Sequence, residues 1–305
     1  MTRPALVAPL VLLSALSASS AWLFAGCGGD ESLPPLPDMP SYVLTADEGR
    51  PAQVYAPSDY DPSVQYPLVI LLHGYSAGGG AQNLYFGVSR HVTTEQFILV
   101  VPNGTRDMTG TSFWNSDPIR SGETVDDVAY LRRLIEEAKA NFRVDPRRVY
   151  LFGHSNGGFM SYRMACEASD VITAIASLNG MPPEDPSECD AELPVSVVQI
   201  HGTADEDVLY DGEPSSDGSG YLGAEEAVER FAAAAGCDVD AAEVGTPLDL
   251  DDSLAGAETT VLDYEVGCDR NLGASLWTIE GGGHLPVRSD TFVPSVVQWL
   301  KGHSR

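Results

Sequence analysis

Basic side chains are scarce in this sequence. Lys and Arg number 17 against 44 Asp and Glu, which gives a formal net charge of −27. Such a charge repels phosphate backbones, so we expect no nucleic-acid partner. Hydrophobic residues make up 43% and charged residues 20% of the 305 residues. That balance is typical of a folded globular protein, and it excludes a disordered chain, a collagen-like fibre and a multi-span membrane protein.

Recognisable metal-binding patterns are also lacking. The chain has 5 cysteines but no C-x-x-C spacing, so a zinc site is not expected. Acidic residues crowd the segment 238–265, which contains no Lys or Arg and no EF-hand spacing. We therefore predict a solvated acidic face there, and we expect neither a metal nor another cofactor.

The amino terminus has the pattern of an export signal. Residues 5–26 carry no charge and follow Arg3, which predicts a signal peptide over 1–26. The run ends in Leu23-Phe24-Ala25-Gly26-Cys27, which resembles the lipobox of bacterial lipoproteins, where the cysteine is lipidated. We predict a lipid on Cys27 that anchors the protein to a membrane, and a proline-rich spacer over 27–40. Plain cleavage and an uncleaved anchor are the alternatives.

Without Cys27, four cysteines remain. They are Cys166, Cys189, Cys237 and Cys268. An exported protein meets an oxidising compartment, where disulfides persist, and four cysteines allow three pairings. Proximity along the chain favours Cys166–Cys189 and Cys237–Cys268, with four free thiols as the alternative.

The rest of the chain alternates apolar runs with helical patterns. The runs are rich in branched residues and apolar on both faces, which is typical of parallel strands buried between helices; they lie at 68–72, 97–101, 149–152 and 195–200. Helices are predicted at 126–142, 157–168, 224–235 and 294–301. Thr124 and Asp127 predict a capping box at the first of these. We expect an α/β fold with a mostly parallel sheet, formed by a single domain over 41–305.

A candidate nucleophile lies between a predicted strand and a predicted helix. Residues Gly153–Gly157 match G-x-S-x-G, with Ser155 at the centre. In that context the motif predicts a nucleophile elbow, a tight turn that presents the serine at the end of the sheet. Residues Gly74–Gly78 also match G-x-S-x-G, but no helix pattern follows at once. We therefore favour Ser155 over Ser76.

The base and the acid follow from chain order, since this kind of site runs nucleophile, acid, histidine. Of the six histidines, only His284 and His303 come late enough, and His303 lies two residues from the end. His284 sits in a glycine-rich loop after the strand-like run 275–279. The acid should follow a strand, and the loop after 197–200 offers Asp205, with Asp207 as the alternative.

Six short motifs occur together and in order along the chain. They resemble the α/β-hydrolase family that contains polyhydroxyalkanoate (polyhydroxybutyrate) depolymerases, feruloyl esterases and acetyl xylan esterases. The resemblance covers about residues 50–302 and supports the neighbour pairing of the cysteines. The motifs are His73-Gly74-Tyr75, Phe113-Trp114-Asn115, Asp126-Asp127-Val128, Gly153-His154-Ser155-Asn156-Gly157-Gly158, His201-Gly202-Thr203-Ala204-Asp205 and Gly282-Gly283-His284.

The resemblance implies an exported serine esterase that acts through an acyl-enzyme without a cofactor. The backbone N–H groups of Tyr75 and Asn156 would bind the oxyanion. Trp114 and Tyr210 are candidates to line the substrate pocket, with ordinary packing as the alternative for both. The segment 211–223 is either a lip over the pocket or a surface insertion. We expect an ester substrate and a monomer. A peptidase of the same fold and an inactive surface-binding lipoprotein are the alternatives.

Overall fold

A ten-stranded sheet forms the centre of the molecule. The computed structural model describes residues 42–47, 49–117, 122–215 and 220–305. The sheet order is β1-β2-β4-β3-β7-β8-β9-β12-β11-β10, and β5 and β6 form a separate hairpin. The strands are β1 (Val43–Leu44), β2 (Ala52–Tyr55), β3 (Tyr66–Leu72), β4 (Ile98–Val101), β5 (Thr105–Arg106), β6 (Ser112–Phe113), β7 (Val144–His154), β8 (Ala174–Leu178), β9 (Ser196–Gly202), β10 (Glu243–Val244), β11 (Thr259–Tyr264) and β12 (Ala274–Ile279).

The six strands from β4 to β12 in the sheet order run parallel, and antiparallel strands extend both edges. The predicted fold class is confirmed, because helices cover this mostly parallel sheet on both faces. They are α1 (Gly79–Phe86), α2 (Val92–Glu95), α3 (Asp127–Asn141), α4 (Asn156–Glu167), α5 (Ala224–Ala234) and α6 (Phe292–Gly302). Among the residues described, no helix has the length and apolarity to cross a membrane.

The alternation of side chains along β3 shows how the two layers form. Leu68 and Ile70 pack against the buried faces of α3 and α4, whereas Val69 and Leu71 pack on the opposite face against α1 and α6. Every residue of β3 is buried. A strand covered on both faces in this way reads as a continuous apolar run, which is why the sequence revealed it.

One local prediction was wrong, and another holds only in part. The capping box of Thr124 and Asp127 does not form: Asp126 caps α3 by accepting a hydrogen bond from the Ala129 N–H, and Asp127 is buried. Most acidic side chains of the segment 238–265 are exposed, as predicted, but not all of them. Asp251 is buried and accepts from the Val287 N–H, and Glu258 accepts from the backbone N–H groups of Leu250 and Asp251. These carboxylates serve as hydrogen-bond acceptors for loops that lack regular structure.

Two disulfides tie helices to neighbouring loops. Cys166 in α4 pairs with Cys189, and Cys237 after α5 pairs with Cys268 after β11. Both links follow the neighbour pattern that the sequence favoured, and they fit an oxidising compartment. The predicted signal over 1–26, the lipidation of Cys27 and the spacer over 27–40 lie outside the described residues.

Candidate active site

Ser155 occupies the turn between β7 and α4. Its φ of 53° lies in the left-handed region, which is strained for a residue with a side chain. The turn is tight, because a Cβ on Gly153 would lie 2.1 Å from the Gly157 oxygen, and one on Gly157 would lie 2.4 Å from the Leu72 oxygen. Glycine is therefore required at both positions. The tight turn that they allow places the serine at the end of the sheet.

The Ser155 side chain faces a cavity of about 510 Å³. The Ser155 N–H donates to the carbonyl oxygen of Leu178, the last residue of β8, and this bond fixes the turn to the neighbouring strand. The volume lies within the range of small-molecule sites. The cavity is lined by Tyr75, Ser116, Asp117, Ser155, Asn156, Phe159, Arg163, Cys166, Glu167, Met181, Pro183, Glu188, Gly220 and Tyr221.

Asp205 and His284 are joined by a hydrogen bond. The Nδ1–H of His284 donates to Asp205 Oδ2 across 2.8 Å. The other oxygen, Oδ1, accepts from the backbone N–H groups of Asp207 and Val208. Asp207, the alternative acid, is exposed and supplies its backbone rather than its side chain to the pair. The geometry therefore favours Asp205, which is buried beneath the histidine.

The loop that carries His284 is fastened beside Ser155. The Nε2–H of His154, the residue before the serine, donates to the His284 carbonyl oxygen across 2.9 Å. The Asn179 side chain donates to the same oxygen, and the His154 and His284 ring centroids lie 5.0 Å apart. These contacts place the His284–Asp205 pair beside the turn that carries Ser155.

Two pKa shifts characterise this part of the site. Burial by itself raises the pKa of Asp205, but hydrogen bonds from His201, His284 and the Val208 N–H outweigh it and hold the pKa far below its usual range. Burial lowers the pKa of His154 to about 4. At neutral pH the aspartate is therefore a carboxylate, and His154 is a neutral hydrogen-bond donor. Asp205, Asp207 and His284 also form a possible cation-binding cluster in the described chain, but the hydrogen bond within the pair occupies the His284 Nδ1.

The His73–Tyr75 loop lies beside the serine, since a Cβ on Gly74 would be 3.5 Å from Ser155 Cβ. The His73 Nδ1–H donates to the Gly74 carbonyl oxygen, and the Gln82 side chain accepts from the Gly74 N–H. Because a trans peptide is planar, fixing the Gly74 carbonyl also fixes the direction of the Tyr75 N–H. Within the described parts of the chain, the N–H groups of Tyr75 and Asn156 make no hydrogen bond. They are free to bind an oxyanion.

Trp114 does not line the cavity, so the structure favours the packing alternative for this residue. Its side chain is fully buried and packs against the rings of His73 and Tyr130. Its backbone has a role instead: the Trp114 N–H donates to Asn156 Oδ1, and the Asn156 Nδ2–H donates to the Trp114 oxygen. This pair of hydrogen bonds holds Asn156 at the start of α4.

Tyr210 is also absent from the cavity wall. Its hydroxyl bonds Thr278, and its ring packs edge-on to His201. The aromatic wall comes from Tyr75, Phe159 and Tyr221 instead. Phe159 lies one helical turn after Ser155, a spacing that could have revealed it, whereas Tyr221 arrives from the segment 211–223 and carried no local signal.

The arrangement defines a class of protein: an α/β-hydrolase with a serine at the strand–helix turn and a histidine–aspartate pair beside it. Residues 45–217 match the model of the Esterase family, described as "Putative esterase". The match covers more than half of the chain, which therefore belongs to this family.

Curated relatives and solved structures agree with this assignment. The chain is 29% identical over 247 residues to "Putative esterase NocK" of Nocardia uniformis subsp. tsuyamanensis, covering 76% of this chain and 69% of that protein. It is 28% identical over 242 residues to feruloyl esterase B of Piromyces equi, covering 77% of this chain but only 42% of that protein. The chain thus spans less than half of that relative.

Among solved structures, the acetyl xylan esterase from Aspergillus awamori superposes with a TM-score of 0.57 at 14% identity. The superposition covers 83% of this chain and 94% of that chain. At this level of identity the likeness supports the α/β-hydrolase fold.

Proposed function

We propose that the protein is a serine esterase that hydrolyses carboxylic esters through an acyl-enzyme. One observation carries the proposal: the Asp205–His284 hydrogen bond lies next to a strained serine that opens onto a cavity. Family membership and the esterase relatives support the same reaction class.

In the proposed mechanism, His284 takes the Ser155 proton as the serine Oγ attacks the acyl carbon. Asp205 holds the imidazole in the correct tautomer and stabilises its charged form. The N–H groups of Tyr75 and Asn156 bind the developing oxyanion, and each such donor is worth about 3–4 kcal/mol in comparable sites. The alcohol leaves with the proton from His284, and water then hydrolyses the acyl-enzyme.

The cavity wall suggests which esters fit. Tyr75, Phe159 and Tyr221 supply three aromatic rings, and Phe159 and Tyr221 meet edge to face with centroids 5.5 Å apart. Rings arranged in this way suit a planar acyl group such as feruloyl. We propose that aromatic acyl esters are preferred over polyhydroxybutyrate oligomers, with acetyl esters of polysaccharide as the second candidate.

A fluorophosphonate probe tests the reaction class. We expect covalent labelling at Ser155 that Ser155→Ala abolishes and that Ser76→Ala leaves intact. Labelling that survives Ser155→Ala would overturn the assignment of the nucleophile.

A substrate panel then separates the rivals. It comprises methyl ferulate, acetylated xylan, p-nitrophenyl acyl esters, polyhydroxybutyrate oligomers and aminoacyl anilides. We expect the highest kcat/KM for methyl ferulate. Rapid anilide cleavage with negligible ester turnover would identify a peptidase, and no turnover or labelling would identify an inactive binding protein.

We further propose that the protein is exported and anchored by a lipid on Cys27, as the uncharged segment 5–26 and the two disulfides suggest. Mass spectrometry of the mature chain should show an acylated cysteine at its start. An unmodified Cys27 would contradict the anchor, and its replacement by Ala should release the protein from the membrane.

A further inference from the structure

A second histidine, His201, also contacts Asp205. His201, the next-to-last residue of β9, is fully buried, and its Nε2 lies 3.5 Å from Asp205 Oδ2 and 2.9 Å from the Val208 oxygen. The Val208 N–H in turn donates to Asp205 Oδ1. His201 therefore approaches the oxygen that accepts from His284, and Val208 binds the other oxygen of the carboxylate.

The contacts continue from His201 into the core. Gln199, two residues earlier on β9, places its Nε2 3.0 Å from His201 Nδ1. The hydroxyl of Tyr162, on the elbow helix α4, donates to Gln199 Oε1 across 2.8 Å. All three side chains are fully buried. A row of hydrogen bonds thus joins the helix behind Ser155 to His201, whose Nε2 lies 3.5 Å from the carboxylate that faces His284.

Donor and acceptor roles along this row leave one arrangement for His201. The Gln199 amide oxygen is taken by the tyrosine hydroxyl, so its NH₂ group faces the imidazole. An amide nitrogen only donates, and therefore His201 Nδ1 must accept. The ring proton then resides on Nε2, where it points at the Val208 oxygen and Asp205. His201 is held as one neutral tautomer.

We propose that Tyr162, Gln199 and His201 are positioning residues that keep Asp205 ionised and directed at His284. This rests on the proposed roles of Asp205 and His284 in ester hydrolysis. A neutral N–H donor steadies the carboxylate without cancelling its charge, whereas a charged imidazolium there would compete with His284 for it. The row serves to prevent that competition.

Nitrogen-15 NMR of histidine-labelled protein tests the tautomer without reference to activity. We expect the Nε2–H tautomer of the neutral His201 ring in the wild-type protein and a mixture of the two tautomers in Gln199→Leu. Assignment uses His201→Gln, which removes its signals. An Nδ1–H form of His201 in the wild-type protein would overturn the proposal. Failure of Ser155 labelling would instead overturn the proposed function, so the two outcomes are distinct.

Steady-state kinetics of two matched variants test whether the row of hydrogen bonds affects catalysis. Tyr162→Phe removes the far end of the row, and Tyr150→Phe is the control, because the Tyr150 hydroxyl also makes one buried hydrogen bond, to the His303 oxygen. We expect kcat to fall about 3- to 10-fold in Tyr162→Phe with little change in KM, and to stay unchanged in the control. Equal effects in both variants would contradict a positioning role.

The pH profile gives a second kinetic readout. The titratable groups around Asp205 are His201 on β9, His284 and Asp207, with His154 behind His284. When the His201 donor is lost, only His284 approaches Asp205 Oδ2, and that oxygen therefore holds the His284 proton more tightly. We expect the acid limb of kcat/KM to move up by about half a pH unit in His201→Leu. His201→Gln, which keeps an N–H donor, should restore much of the kcat; no difference between the two variants would contradict the proposal.

Discussion

The two G-x-S-x-G segments have the same pattern but different structures. Both follow parallel strands that are neighbours in the sheet, and both serines have a positive φ, 62° at Ser76 and 53° at Ser155. At Gly153–Gly157 the helix begins with the residue after the serine, whereas at Gly74–Gly78 it begins only at Gly79. In the proposed mechanism, Gly153–Gly157 supplies the side chain of Ser155, whereas Gly74–Gly78 supplies the backbone N–H of Tyr75. A motif thus gains its meaning from the element that follows it.

The largest contrast is expected between Ser155→Ala and Ser76→Ala. If only the segment Gly153–Gly157 supplies the nucleophile, Ser155→Ala should lower kcat by at least about 10⁴-fold. Ser76→Ala should change it by less than about 3-fold, because the Ser76 contribution is its N–H bond to the Ser112 oxygen, which alanine keeps. Ester hydrolysis with active-site titration measures both. Comparable losses would remove the distinction between the segments.

The next largest contrast is expected in stability, when the glycine at the fifth position of each segment is replaced. A Cβ on Gly157 would meet backbone atoms of Leu72 and His73 at 2.4–2.7 Å, whereas one on Gly78 would meet only the Asn103 side chain, at 3.1 Å. We expect Gly157→Ala to lower the free energy of unfolding by about 3 kcal/mol or more, and Gly78→Ala by less than about 1 kcal/mol. Urea denaturation gives both values. A tolerated Gly157→Ala would show that the turn has more room than its contacts indicate.

The second position of each segment gives a pH-dependent contrast, since it is the buried His154 in one and the exposed Tyr75 in the other. The His154 pKa falls from 6.5 unfolded to about 4 folded, so the unfolded chain binds more protons between these values, and stability is lost as pH drops through that window. Between pH 7.5 and pH 5 this amounts to about 2 kcal/mol.

His154→Gln should remove that part of the pH dependence while keeping a hydrogen-bond donor for the His284 oxygen. Urea denaturation at the two pH values measures it. The control is His91→Gln, at a part-exposed ring, which should alter the dependence less. An unchanged pH dependence in His154→Gln would show that His154 does not titrate as its burial requires.

The smallest effect on kcat is expected from the contact that holds Tyr75, whose N–H is a proposed oxyanion donor. The Tyr75 hydroxyl donates to Asp107 Oδ2 across 2.9 Å, and hydrogen bonds from the Thr109 hydroxyl and the Thr111 N–H lower the pKa of Asp107 to about 2. Tyr75→Phe and Asp107→Ala should each lower kcat about 3- to 5-fold, and the double variant should lose no more than either. Additive losses would mean that the Tyr75–Asp107 contact does not orient the backbone of Tyr75.

Much of the site followed from the sequence because its parts are local. Ser155, Asp205 and His284 each lie in a loop directly after a strand, and apolar runs mark most of those strands. The strand β8 was missed, since Ala174–Leu178 is short and contains small residues. That strand nevertheless fixes Ser155 through the Leu178 oxygen.

What the sequence did not reveal depends on contacts between distant residues. Trp114 and Tyr210 are aromatic residues of the kind that line pockets, but their side-chain contacts place them in the packed interior. The row from Tyr162 to Asp205 joins one helix to two residues of β9 and the loop beyond, and no local periodicity encodes it. Such contacts follow from the register of the sheet, which only the folded structure provides.

Both outermost strands of the sheet, Val43–Leu44 and Glu243–Val244, are two residues long. A sheet edge offers unpaired backbone groups to any other chain, and aggregation by strand addition needs a long, flat edge. Two residues present few such groups, and the net charge of −27 adds repulsion between copies. The fold should therefore remain dispersed at high concentration, and added salt should weaken only the second of these two protections.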